Sequence, residues 1–406
     1  MQLRNFDCEF CCKLALCCFI KLLYDALCFL HNFDALCYLR NPTRRTPTTI
    51  DELPEEVIAE ILVRLPPHPT CLLTESGTKQ AWRQCMGSNY FRKLTLSHNR
   101  GNPLLGFFTN NSEDNRFISE HDLDPAILQT LTLPSDNSSS KSYVLGCRDG
   151  MVLLHSSVSY RGHITVWDPI RGVVTVIPPL PIWLNERIES GVILCSRNNS
   201  VPFTHRCKFW VVWITTSRDK ALAHRYSSES GEWKYLTEST PMLAEIDHRP
   251  ATVIGDILYW PTKSRYIIAL HNVKEDLKYI ECPHETRDII RLNVHIFRGH
   301  NGDVALAVIR NFTLQMWSST RSPTGDHESW QRHIKVELDT LLPIDTSFPY
   351  HGKCEVRLLC VVEDTDILVV WVKEGVFQLD MSHWQWKRYN SDRRWCTLHP
   401  YSVRPG

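Results

Sequence analysis

The residues able to do chemistry are few and poorly grouped. Cys8 and Cys11 have the two-residue gap of half a tetrahedral zinc site. No second pair in a C-x-x-C or H-x(3–5)-H arrangement follows, and His31 stands alone. Cys282-Pro283-His284 puts a thiol beside a base, the ingredients of a cysteine nucleophile. Residues so close in sequence seldom converge with the geometry that proton transfer needs. His295 and His300 flank Phe297-Arg298-Gly299 in a stretch that reads as a turn. The chain has no Gly-x-Ser-x-Gly elbow, no phosphate-cradling glycine loop and no His-Glu-x-x-His helix. The sequence thus predicts no catalytic residue, no resident metal and no cofactor, and a protein that acts by binding.

The 406 residues exceed one ordinary core and predict two or three units. Hydrophobic residues at 43% and charged ones at 22% give a globular composition. Lys plus Arg and Asp plus Glu both total 45, so there is no net basic footprint for nucleic acid. Seven of the 16 cysteines crowd residues 1–40 and the rest are scattered singly. With no convincing secretory signal, this is read as an intracellular chain with reduced thiols, cytoplasmic or nuclear. The apolar stretch Leu14–Ile20 ends at Lys21, well short of the roughly 20 residues needed to span a bilayer. For residues 1–40 three readings stand: a helical or partly disordered extension, the incomplete zinc site, or membrane association through acylated cysteines.

Residues 41–49 have two prolines among polar neighbours and read as a linker. From Ile50 the text changes character. Pro54 suits the first position of a helix, where its missing N–H costs nothing. Glu55 and Glu56 favour the positive end of the helix dipole and Arg64 the negative end. Pro66 and Pro67 stop the helix. Between them Val57, Ile58, Ile61, Leu62 and Leu65 line one apolar face. Burying such side chains contributes about 1.5–3 kcal/mol each, so the stripe calls for a partner surface. Leu72 and Leu73 open a second apolar segment, and Ala81, Trp82, Tyr90, Phe91 and Leu94 add to it.

Residues 50–98 resemble the F-box. The resemblance rests on Leu53-Pro54, the aliphatic helix through Leu65-Pro66, the Leu72-Leu73 pair, Trp82-Arg83, and Phe91 followed by Arg92 and Lys93. It implies docking onto a Skp-type adaptor and, through it, a cullin. Leu53, Pro54, Val57, Ile58, Ile61, Leu62, Leu65, Pro66, Leu72 and Leu73 would face the adaptor or support that face, with Trp82 anchoring the last helix. The sequence departs from the family at Gly77-Thr78-Lys79-Gln80, where polar residues replace two apolar ones. A glycine inside a helix costs about 1 kcal/mol, so the third helix is expected to be weak.

Beyond residue 100 the helical period fades into short β-like runs separated by turn signals such as Arg148-Asp149-Gly150, Asp168-Pro169 and Lys373-Glu374-Gly375. A spacing of i, i+7 and i+10 recurs in Trp167, Val174 and Ile177. It returns in Tyr226, Trp233 and Leu236, in Leu270, Leu277 and Ile280, and in Leu379, Trp386 and Tyr389. Trp317 and Trp330 read as the same hairpin with a longer tip, Thr320–Ser329. The Leu104–Phe108 and Arg116–Ser119 region would complete a sixth unit with the C-terminal strand. Units about 45–60 residues apart are the signature of propeller blades.

The unit resembles the kelch-type hairpin, with Trp167-Asp-Pro through Val174-Thr-Val-Ile-Pro-Pro179 as its best copy. Leu104–Phe108, Gly146–Leu154 and Val166-Trp-Asp-Pro-Ile resemble the associated domain of plant F-box proteins, especially those of grasses. The fold expected is α+β multidomain: a helical F-box at 50–98 and a large all-β domain at 100–406, a propeller of about six blades. The function these resemblances imply is a non-catalytic, substrate-recognition subunit of an SCF-type ubiquitin ligase, with a protein target that sequence does not name. A ligase-independent scaffold with a degenerate F-box is the alternative, as is a propeller enzyme with inward His and Asp at its channel. Trp183, Arg187, Arg218, Arg265 and Arg321 are the anchors expected in loops.

Overall fold

A computed structural model describes residues 104–402. The segments 111–115, 121–124, 135–141, 157–162, 181–187, 196–207, 218–219, 240–243, 248, 287–292, 300–301, 322–327, 345–355, 364 and 390–396 are excepted. The cysteine-rich extension, the linker and the helical module at 50–98, with every expected adaptor-facing residue, lie outside the described residues. What is described belongs to one compact unit, Asn102–Arg404.

That unit is a six-blade β-propeller, nearly all β. Blade 1 comprises β3 (Ser142–Arg148), β4 (Met151–Ser156), β5 (His163–Asp168) and β6 (Val173–Ile177). Blade 2 holds β7 (Ile188–Cys195), β8 (Phe209–Thr216), β9 (Ala221–Ser227) and β10 (Glu232–Ser239). Blade 3 has β11 (Thr252–Ile254), β12 (Ile257–Pro261), β13 (Tyr266–His271) and β14 (Asp276–Glu281). Blade 4 has β15 (Val294–Arg298), β16 (Val304–Arg310), β17 (Thr313–Arg321) and β18 (Glu328–Glu337). Blade 5 has β19 (Arg357–Val361), β20 (Ile367–Val372), β21 (Gly375–Asp380) and β22 (Gln385–Tyr389). Blade 6 joins the two ends of the domain: β1 (Leu104–Thr109) pairs with β2 (Phe117–Ser119) on one side and with β23 (Leu398–Ser402) on the other. Two short helices, α1 (Pro125–Thr130) and α2 (Leu338–Leu341), lie between blades.

The sequence pattern follows from the architecture. Middle strands are covered on both faces by neighbouring blades, so they read as unbroken apolar runs. Val304–Ile309 in β16 and Val211–Thr216 in β8 are buried at every position. Outer strands meet a blade on one side and water elsewhere, and β10 accordingly buries only Leu236. The recurring i, i+7 spacing marks residues that face each other across the third and fourth strands. Trp167 pairs with Val174, Tyr226 with Trp233, Leu270 with Leu277 and Leu379 with Trp386. Blade 4 differs: a bulge beside Trp317 pairs it with Arg332, and Trp330 faces Ser319. Strands there also run to Arg321 and from Glu328, so the hairpin tip is shorter than the sequence suggests.

Two tryptophans tie consecutive blades together. Trp233 Nε1 donates to the Pro178 carbonyl and Trp330 Nε1 to the Glu281 carbonyl, both at 2.8 Å. Each acceptor lies at the end of the outer strand of the preceding blade, Pro178 just after β6 and Glu281 as the last residue of β14. Ring closure uses different chemistry. Phe108 lies 5.7 Å from Trp167 and 5.4 Å from Tyr401, and the Tyr401 hydroxyl donates to the Gly150 carbonyl at 3.0 Å. Gly106 sits where β1 bulges against β23, with φ at +156°, and a Cβ there would meet the Ile118 carbonyl oxygen at 2.0 Å. Only glycine fits.

Candidate functional site

Strand direction alternates within each blade, so the connections sort onto two faces. One face carries the turns between second and third strands and the segments passing from blade to blade. The other carries the first-to-second and third-to-fourth turns. The second face is made mostly of tight turns, with Asp149 and Gly150 at positive φ between β3 and β4 and Gly255 between β11 and β12. The first face gathers most of the long connections, including those holding α1 and α2. Long loops on a rigid ring are where binding residues concentrate.

Of the loop anchors expected from sequence, Trp183, Arg187 and Arg218 lie outside the described residues. Arg265 sits between β12 and β13 on the face of long connections. Its Nε is 3.3 Å from a Glu281 carboxylate oxygen, and its guanidinium stacks 5.1 Å above the Tyr266 ring while donating to the Tyr266 hydroxyl. Arg321 ends β17 and faces Glu328 on the opposite face. The structure therefore does not bring these two arginines together.

The first strands of the blades meet around the axis, and buried polar side chains collect there. His295 reads as part of a turn in the sequence, but it lies in β15 and is buried. The reason is that Val294–Arg298 pairs with Val304–Val308 in full register. Asn293 precedes it and clamps the next blade, donating to the Val356 carbonyl at 2.8 Å and accepting from the Leu358 N–H at 3.1 Å. Asn110 repeats the device across the ring closure. Its amide donates to the Val144 carbonyl at 2.6 Å and accepts from the Val144 N–H at 2.8 Å. That bridge fixes the amide orientation. Its Nδ2 therefore also points at His399 Nε2, 3.1 Å away, and the neutral imidazole keeps its proton on Nδ1.

Electrostatics keep this interior uncharged except at one pair. Burial holds His399 down at about 3. Burial first, then the nearby Arg249 guanidinium and His399, hold His295 at about 3 against an opposing bond to the Leu358 backbone. Arg249 is buried and shifted down by desolvation, yet Asp247 lies 3.0 Å away and stabilises its charge. Arg249 also donates to the Val294 carbonyl. Among the described residues, Arg249 Nε, His295 Nε2 and His399 Nδ1 have no hydrogen-bond partner. The sequence did not mark Asn110, Arg249, Asn293 or His399, because, apart from Asp247 beside Arg249, their partners are backbone or side-chain groups far along the chain.

Cys282 and His284, one residue apart across Pro283, do not form an activated pair. Burial pushes the Cys282 thiol up to about 12, which leaves almost no thiolate at neutral pH. His284 opens a short 3₁₀ turn. Among the described residues no group of three or more His, Cys, Asp or Glu side chains converges as a metal site. No described helix is long and apolar enough to cross a membrane.

No family model matches the chain. A protein of Arabidopsis thaliana, named as an F-box/kelch-repeat protein, is 25% identical over 368 residues, covering 80% of this chain and 85% of that one. The kelch repeats in its name accord with the blade hairpins above. Among solved structures, TolB from Acinetobacter baumannii aligns with a TM-score of 0.39 and 11% identity, over 79% of this chain and 72% of that chain. The extracellular domain of a one-component system from B. thetaiotaomicron aligns with a TM-score of 0.31 and 11% identity over 62% of this chain, which spans 28% of that one. The propeller rests on its own strand order and register, not on these two alignments.

Proposed function

We propose that this chain is a substrate-recognition subunit of an SCF-type cullin ubiquitin ligase. Residues 50–98 would dock a Skp-type adaptor through Leu53, Pro54, Val57, Ile58, Ile61, Leu62, Leu65, Pro66, Leu72, Leu73 and Trp82. The propeller, beginning near residue 100, would hold the target protein. The observation that carries the reading is a pairing: a sequence stripe of apolar residues at helical spacing, followed by a six-blade ring, in a chain similar to an F-box/kelch-repeat protein. In this role the chain is not itself an enzyme. It would hold an acceptor lysine near a charged conjugating enzyme and raise its effective concentration. Such a complex works in the cytoplasm or nucleus.

Leu62→Asp with Leu65→Asp tests the proposal in the full chain. A charge opposite an apolar adaptor face is buried without a counter-ion. Adaptor pull-down is expected to fall to background while the thermal unfolding of the propeller is unchanged. Undiminished capture would refute the docking role. Gly77 and Lys79 favour a second reading, a ligase-independent scaffold with a decayed third helix. That reading predicts that even the unaltered chain binds adaptor no better than background.

A further inference from the structure

One outer strand breaks the rule the others keep. Exposed sheet edges carry unpaired N–H and C=O groups, and proteins guard them with charged side chains. Four outer strands do so: β10 with Glu232, Lys234 and Glu238, β14 with Asp276, Lys278 and Glu281, β18 with Arg332 and Lys335 among others, and β22 with Lys387 and Arg388. The three-residue β2 has no charge of its own, but it is half-buried and flanked by Arg116 and Glu120. Strand β6 reads Val-Val-Thr-Val-Ile and carries none. Val173, Val174 and Val176 are 39%, 48% and 62% exposed, three of the eight large exposed hydrophobics among the described residues. The nearest charges, Asp168 and Arg171, satisfy each other at 3.2 Å in the preceding turn.

We propose that β6 is a docking edge at which an extended, uncharged segment of a target protein adds as a fifth strand to blade 1. The occupant follows from the chemistry of the edge. Outward backbone groups along five residues are met in line by another strand, whereas a helix has none to spare. A β-branched side chain laid beside Val174 and Val176 covers apolar surface that a lysine or glutamate would leave wet, so the segment is apolar and charge-free where it pairs. β-branched side chains fit the pleat on both faces. This rests on the reading that the propeller captures a target, and it adds where and of what class.

The full chain is panned against a displayed random nonapeptide library, beside a Val174→Lys, Val176→Lys variant. Both positions are exposed, so the variant should match the parent in thermal unfolding. Enriched peptides are expected to share at least four consecutive uncharged residues rich in Val, Ile and Thr, and the variant should recover them at least tenfold less. Absent enrichment, enrichment of charged motifs, or recovery indifferent to the two lysines would overturn the proposal. So would a concentration-dependent dimer that the lysines abolish, because the edge would then belong to a second copy. Adaptor pull-down on the same preparations keeps the two failures apart: a chain that holds adaptor but selects no strand loses only the edge.

Discussion

Lowering the pH from about 7 to about 5 should weaken the propeller through two buried histidines. His295 and His399 are held at about 3 in the folded ring, against an ordinary value of 6.5. The folded state therefore binds fewer protons than the unfolded chain between those values. Stability from this source is complete above about 6.5 and is lost as the pH falls toward 3. At pH 5 each imidazole lies about 1.5 pH units below its unfolded midpoint, or about 2 kcal/mol at 1.36 kcal/mol per unit. The pair together costs about 4 kcal/mol, a large share of the 5–15 kcal/mol typical of a domain. His224, lowered by burial, adds to the same trend. Glu275, Glu337 and Asp380, held below the usual carboxylate range chiefly by side-chain bonds to Lys234, Thr313 and His383, act only at lower pH. Urea unfolding at pH 7, 6 and 5 of the parent and of His399→Gln isolates one proton. The variant is the less stable at pH 7, and the gap should narrow by about 2 kcal/mol at pH 5. A gap that stays constant with pH would mean that His399 is not buried in its neutral form, and the account of the axis would fail.

Two further expectations concern how the ring is held. Gly106→Ala drives a methyl into the Ile118 carbonyl at the closing blade, and should cost about 3 kcal/mol or more, read as a lower midpoint in denaturant melts. Trp233→Phe keeps an aromatic ring against Tyr226 but loses the bond to the Pro178 carbonyl, so a loss of about 1 kcal/mol is expected in the same assay. Equal stability of the phenylalanine variant would show that water replaces the tie.

The outer halves of the blades were legible because hairpin geometry constrains spacing. A residue at the end of the third strand faces one seven positions later, so Trp167, Tyr226, Leu270 and Leu379 announce their hairpins without any alignment. The sixth blade, split between Leu104–Thr109 and Leu398–Ser402, was also readable, since a final strand without a hairpin needs a distant partner. First strands were harder. β11 has only three residues, and β15 follows Asn293 and contains His295, polar types that suggest a turn. They belong inside because Val356, Leu358 and Arg249 from other blades and loops surround them. Such partners are fixed by the ring and leave no local pattern. The axial polar cluster was illegible for the same reason, whereas the uncharged text of β6 was visible yet meaningless until the structure placed it at an edge.

The closure of blade 6 has a consequence for how the protein is made. Leu104 pairs with Ser402, the two extremes of the ring, and Phe107 with Pro400. During synthesis β1 can pair early with its short neighbour β2, and it waits for the rest of the propeller before β23 arrives. Contacts so distant form late and slowly. A chain ended early by a premature stop would keep all five four-stranded blades and still present an open seam, with buried Phe107 and Phe108 bared. The last strand thus serves as a proofreading mark: only a chain translated through β23 can close the ring over β1.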